Sequence, residues 1–286
     1  MNHGLEKAVQ ETAYYIWKER ECPEGQDLEI WYQAVSIVLN KTARTISMPD
    51  LSVKVVHDAS IDELIYRVPQ FSFLKNIKFP QDDSIEWTRN GKNVYCVQVM
   101  FIGKTGYGKS TTLNRICGQK IFEISDISSC TKELYSSEYK LANSSVNYFS
   151  LCDLPGLGES LDTDKEYSRL YSEMVVKSAC VIYVFRADQR DFSEDEKILG
   201  SLLKQDRIFK GKLIAGINYA DKVEPVTRAN PFEPNYQQQK NLKEKAEDIS
   251  RIFGISLDKI VCYSASDGYN FKELLEKIST IIKKTC

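Results

Sequence analysis

A chain of 286 residues exceeds a usual domain of roughly 100 to 200 residues, so one large unit with a smaller companion and a sizeable core is expected. The balance of 38 basic and 40 acidic residues, a formal net charge of -2, offers no electrostatic footprint for a protein that tracks a nucleic-acid backbone. Eight scattered cysteines without a C-x-x-C pair read as reduced thiols. With no signal-like N-terminus and no apolar run near the ~20 residues of a spanning helix, a soluble cytoplasmic protein without a membrane signal is expected.

In chain order, Leu5, Val9, Ala13 and Ile16 recur at helical spacing, "ECPEGQ" supplies a turn, and Leu28, Trp31, Val35 and Val38 resume the period behind Asp27, a candidate N-cap. Residues 1–40 are therefore expected to form a helix pair, with Trp17 and Trp31 as core anchors rather than cofactor platforms. Residues 41–92 hold a short β-type run, "LSVKVV", two prolines (Pro69, Pro80) and the polar "WTRNGKN"; they read as connecting or edge structure. Over residues 93–286 the apolar runs "VYCVQVMFI", "VNYFSLCDL", "ACVIYVF", "KLIAGIN" and "KIVCYSA" alternate with amphipathic helical patterns. The expected fold class is α/β, a mainly parallel six-stranded sheet with helices on both faces.

The first apolar run breaks into "GKTGYGKS", Gly103–Ser110, and a helical pattern follows. This is G-x-x-x-x-G-K-[ST] in the strand-loop-helix context that a phosphate loop requires. Gly103, Gly106 and Gly108 let the backbone amides, with those of Lys104, Thr105 and Tyr107, turn inward around a β-phosphate at the positive end of the helix. Lys109 would bridge β- and γ-phosphate oxygens, Ser110 would ligate Mg²⁺, and Thr111 could reach the α-phosphate. A bare glycine turn does not require the Lys-Ser pair.

Downstream strings select the nucleotide. "SLCDLPGLGES" puts Asp153 at a strand end, three residues before Gly156, so a carboxylate can hold Mg²⁺ through water while a glycine amide meets the γ-phosphate. "NYAD", Asn218–Asp221, follows another strand, and "SAS", Ser264–Ser266, a further one. The Asp221 carboxylate can accept from both N1-H and N2-H₂ of guanine, a pairing adenine cannot offer. Asn218 would tie the loops together and reach N7, and the Ala265 amide would meet O6. Each string alone is a plain Asx turn. Four of them at successive strand ends, where open α/β sheets bind ligands, make a nucleotide site.

In order, "GKTGYGKS", "DLPG", "NYAD" and "SAS" resemble the signatures of an Era-like P-loop GTPase domain. "DLPGLGES", "DKEYSRLYSEM" and "VFRADQRDFSEDEKIL" resemble the bacterial YfjP-like GTPases, and "AYYIWKERECPEGQDLEIWYQA" a small bacterial helix-pair domain of unknown function. The resemblance implies a GTP/GDP- and Mg²⁺-binding switch with slow hydrolysis, to which ribosome binding is often ascribed by analogy. The base-reading string of the family normally has Lys after Asn; here Tyr219 stands there, and its ring could stack on the base. Gly106 replaces the Asn that positions a catalytic potassium ion in some members, and Leu157 stands where many place a water-orienting Gln. Unaided turnover should be slow, with help drawn from a protein effector, a ribosome, a second protomer or another residue.

"ISDISSCTKELY", 124–135, has the position of a first switch; Thr131, with Ser128 and Ser129 as rivals, is expected to meet Mg²⁺ and the γ-phosphate. The second switch would run from Gly156 to about Asp164. Catalysis would then be in-line attack of water with charge neutralised by Lys109, the loop amides and the metal, and no side chain is an evident general base. The rival is an interaction module that holds guanine nucleotide with negligible turnover; an ATP-dependent kinase would lack an acceptor site.

Overall fold

The computed structural model describes residues 3–19, 30, 34, 54–77, 86–89, 92–124, 134–141, 147–156, 171, 174, 175, 177–205, 207–226 and 231–285. Asp27, Trp31, Ser128, Ser129, Thr131 and Leu157 lie outside these residues, as does nearly all of the second switch. Helix α1 (His3–Glu19) follows the expected period, burying Val9 and Ile16 with Ile30 and Ala34 in a cluster edged by Trp17.

The sheet is built from β1 (Lys54–Ser60), β2 (Glu86–Arg89), β3 (Lys92–Ile102), β4 (Tyr135–Lys140), β5 (Asn147–Asp153), β6 (Cys180–Arg186), β7 (Leu213–Asn218) and β8 (Ile260–Cys262). Its order is β1-β4-β5-β3-β6-β7-β8, with β2 paired to β3. Only β4–β5 and β2–β3 are antiparallel. Among the described residues the sheet has eight strands where six are expected. The two extra strands come from residues 41–92: β1 runs parallel to β4 at the edge, and β2 pairs with the first residues of β3. Their apolar signal is weak because an edge strand is only partly covered; β1 has no fully buried residue.

Strands β6 and β7 and the second half of β3 are continuously apolar because both faces are covered. Strand alternation divides them cleanly. Val97, Val99 and Phe101 of β3 and Cys180, Ile182 and Val184 of β6 join one core. Met100, Ile102, Val181, Tyr183 and Phe185 join the other. The first core is closed by α2 (Ile61–Arg67), the 3₁₀ turn Pro69–Asn76, α3 (Lys109–Cys117) and α7 (Phe271–Thr285). The second is closed by α4 (Ser193–Gln205), α5 (Arg207–Lys212) and α6 (Tyr236–Phe253). Helix α6 starts on a capping box in which Asn235 Oδ1 accepts from the Gln238 amide and Gln238 Oε1 from the Asn235 amide. Its outer face carries Lys240–Glu244 and Lys243–Glu247 pairs, each 3.8 Å, as a solvated face should.

Cys96, Cys117, Cys152, Cys180 and Cys262 are not joined in disulfides. Burial pushes the Cys152 thiol up to about 11, which leaves it protonated and inert near neutral pH. Among the described residues no helix is long and apolar enough to cross a membrane.

Candidate functional site

The C-terminal ends of β3, β5 and β7 and the loop after β8 converge on one region. β3 runs into the phosphate loop, which turns into α3 at Gly108, a left-handed N-cap with φ 83°. Gly103 has φ 135°, and a Cβ there would stand 2.7 Å from the Val184 carbonyl oxygen, so no side chain fits. Across the loop, a Cβ on Gly156 would lie 2.6 Å from Thr105 Cα. The backbone after Asp153 therefore presses against the phosphate loop.

Lys109 is buried, 6% exposed, and its Nζ donates to the carbonyls of Gly103 and Lys104 at 3.1 Å each. The ammonium thus lies folded over the loop it would serve. Ser110 Oγ donates to Asp153 Oδ2, and Asp153 is fully buried at the end of β5. A hydroxyl and a carboxylate brought together are hard oxygen donors of the kind Mg²⁺ takes. Among the described residues no cluster of three or more His, Cys, Asp or Glu could hold a metal by itself. Thr111, next on α3, is half-buried.

Asn218, at the end of β7, links two other loops. Its Nδ2 donates to the Tyr107 carbonyl at 3.1 Å, and its Oδ1 accepts from the Ala265 amide at 3.0 Å. The expected tie between loops is present. The Ala265 amide, expected at guanine O6, is turned to Asn218. Asp221 sits in the 3₁₀ turn Ala220–Lys222, and its Oδ1 is buried with no hydrogen-bond partner among the described residues. A buried carboxylate oxygen left unmatched is costly unless a ligand supplies the donors. Ser264 Oγ accepts from the Asp267 amide at 3.2 Å and pairs with Ser266 Oγ at 3.1 Å, which shapes the third loop. Tyr219 directs its hydroxyl to the Gly106 carbonyl at 3.3 Å.

Two functional contacts had no visible signal in the sequence. Arg115 on α3 donates to three successive carbonyls of the base loop, Ala265 at 3.0 Å, Ser266 at 3.1 Å and Asp267 at 3.1 Å. The helix that opens at the phosphate loop thus also holds the loop after β8. Asp195, in the first turn of α4, is fully buried and accepts from Tyr183 at 2.8 Å, Gln189 at 2.7 Å and phosphate-loop Tyr107 at 3.3 Å. Beside it, Lys104 pairs with Glu194. In sequence these acids look like ordinary complements to a helix dipole.

Burial pushes the Asp195 carboxyl above the usual carboxylate range, while the donors from Gln189, Tyr183 and Tyr107 pull it back. A raised folded pKa means the folded state holds more protons than the unfolded chain above about pH 4, so this group's contribution to stability falls as pH rises through the folded value. Asp195→Asn, which cannot titrate, is expected to flatten that decline. Urea midpoints across the acid range would show it, and identical pH dependence in both proteins would overturn the sign.

Residues 98–218 match a family model described as 50S ribosome-binding GTPase, and residues 5–39 match one described as a protein of unknown function (DUF2934). The chain is 31% identical over 152 residues to YkfA and 28% over 152 residues to YfjP, both of Escherichia coli and both described as uncharacterized. Each match covers 53% of this chain and 50% of the relative, so the chain spans about half the length of these curated relatives. In structure it resembles Era of Aquifex aeolicus bound to GDP.AlF4-, with TM-score 0.51, 22% identity, and coverage of 65% of this chain and 56% of that one. In its ordered motifs the chain is thus similar to a GTPase family model over residues 98–218 and to YkfA and YfjP over about half its length, and its sheet has the fold seen in Era.

Proposed function

We propose that the protein is a guanine-nucleotide switch that binds GTP or GDP with Mg²⁺ and hydrolyses GTP slowly. The observation that carries the guanine assignment is Asp221 Oδ1, buried and unmatched beside the Asn218 hub. Lys109 and the amides of the phosphate loop would hold the β- and γ-phosphates. Ser110 and Asp153, with Thr131 from the first switch, would hold Mg²⁺, which when bound neutralises charge on the phosphates. Gly156 would report the γ-phosphate through its amide, ordering the segment that follows it. The GTPase unit is taken as residues 93–286, with the 41–92 segment adding edge strands and core cover to it and the 1–40 helix pair before that.

Slow turnover follows from Leu157, whose side chain cannot orient water. Acceleration would then come from a protein effector, a ribosome or a second copy of the chain. The same leucine favours a second reading, an interaction module in which nucleotide is a ligand with negligible turnover. Single-turnover hydrolysis of GTP, run with and without ribosomes over a range of protein concentrations, decides between them. A rate that rises with ribosomes or with protein concentration supports the switch. GTP that stays intact under every condition while bound establishes the interaction module instead. A cytoplasmic location is part of the same proposal.

A further inference from the structure

Tyr219 stands between the two halves of the site in an unusual backbone state. It is one of two non-glycine residues with positive φ among those described, at φ 62° and ψ 35°. A bulky residue there carries strain that the surroundings must offset. The strained turn lifts the side chain away from its own loop towards the phosphate loop, where the hydroxyl donates to the Gly106 carbonyl at 3.3 Å.

That carbonyl also receives Arg186, whose Nη1 lies 3.5 Å away. The guanidinium centre is 4.6 Å from the Tyr219 ring centroid, and Lys222 Nζ is 4.3 Å from the same centroid. Asp188 holds Arg186 in place through two hydrogen bonds, 3.0 Å from Nε and 2.8 Å from Nη2. The Asp188 bonds keep the Arg186 guanidinium above its usual range and Asp188 below its own, so both stay charged across the working range. The arrangement is a chain, Asp188 to Arg186 to the Tyr219 ring, ending on one phosphate-loop carbonyl.

We propose that Tyr219 is a positioning residue that latches the phosphate loop to the base-reading loop and so sets how long a nucleotide stays bound. This rests on the guanine-nucleotide reading above, and it assigns the hydroxyl a task that stacking of the ring on a base would not need. Gly106 carries no side chain, and a Cβ there would meet nothing within 4 Å, so the loop has no packing at that point to fix it. The restraint comes from the shorter hydrogen bond of Tyr219, backed by Arg186 on the same carbonyl and by Asn218 on the next one. A loop held in its binding conformation loses less freedom when phosphate arrives, and ligand leaves more slowly.

The test uses the full chain, with Tyr219→Phe, Tyr219→Ala and Tyr219→Lys compared with the unchanged protein. Release of a fluorescent GDP analogue is followed by stopped flow, and hydrogen exchange of residues 103–108 is measured without nucleotide. Phe keeps the ring and removes only the hydroxyl, so the latch predicts about tenfold faster release, the worth of one hydrogen bond. It also predicts faster exchange in the loop. Lys, which has no ring but carries a donor on a long stem, is expected to release more slowly than Ala. If Phe matches the unchanged protein in both release and exchange, or if Lys releases as fast as Ala, the latch is wrong and the ring alone matters. If the unchanged chain binds no guanine nucleotide, the proposed function fails, and loop exchange in the Phe variant still decides the latch.

Discussion

Lys109→Ala is expected to lower GTP affinity by about a hundredfold or more while leaving the fold in place. The loop carries one buried cation at its centre, and that cation is 6% exposed. Its Nζ donates to the carbonyls of Gly103 and Lys104, in its own loop. Stability should therefore change by about 1 kcal/mol, the net worth of hydrogen bonds already exchanged with water. Phosphate binding has no such substitute. The lysine would make charge-assisted bonds to phosphate oxygens, each worth about 1.5–3 kcal/mol. Calorimetric titration with GTP, paired with a thermal melt, separates the two effects. A variant that binds GTP within a few-fold of the parent would show that the loop does not hold phosphate.

Asp221→Asn is expected to swing the preference from GTP towards xanthosine triphosphate by about a thousandfold. The carboxylate offers acceptors only, which suits the adjacent N-H donors of guanine. An amide offers one donor and one acceptor, which suits xanthine, where an oxygen replaces the exocyclic amine. The swing is large because a mismatched pair leaves buried polar atoms unsatisfied on both sides, and Asp221 Oδ1 is already buried without a partner among the described residues. The Asn218 hub does not touch this atom, so the loops should keep their shape. Competition between the two triphosphates for a fluorescent GDP analogue reads the swing directly. Unaltered GTP affinity in the variant would remove Asp221 from the base-reading role.

The sequence by itself determined the chemistry-bearing strings and the inner sheet. "GKTGYGKS" is legible because a tight phosphate cradle needs glycine and lysine at set spacing, and Gly103 has no room for any other side chain. β6 and β7 are legible because a parallel strand covered on both faces must be apolar throughout. The tie through Asn218 could be expected because an amide at a strand end can donate one way and accept the other.

Only the tertiary structure decided the rest. β1 reads as connecting structure in sequence because an edge strand is half-exposed, and it becomes a strand by pairing with β4, whose residues lie some 80 positions later in the chain. Arg115 meets the Ala265 carbonyl across 150 positions, Tyr107 meets Asp195 across 88, and Tyr219 meets Gly106 across 113. Each pairs a side chain with a partner that no local period or motif spacing marks. Side-chain type and short spacing record what a loop can bind, whereas which loops are held against one another depends on strand order, and that is set by the packing of the whole sheet.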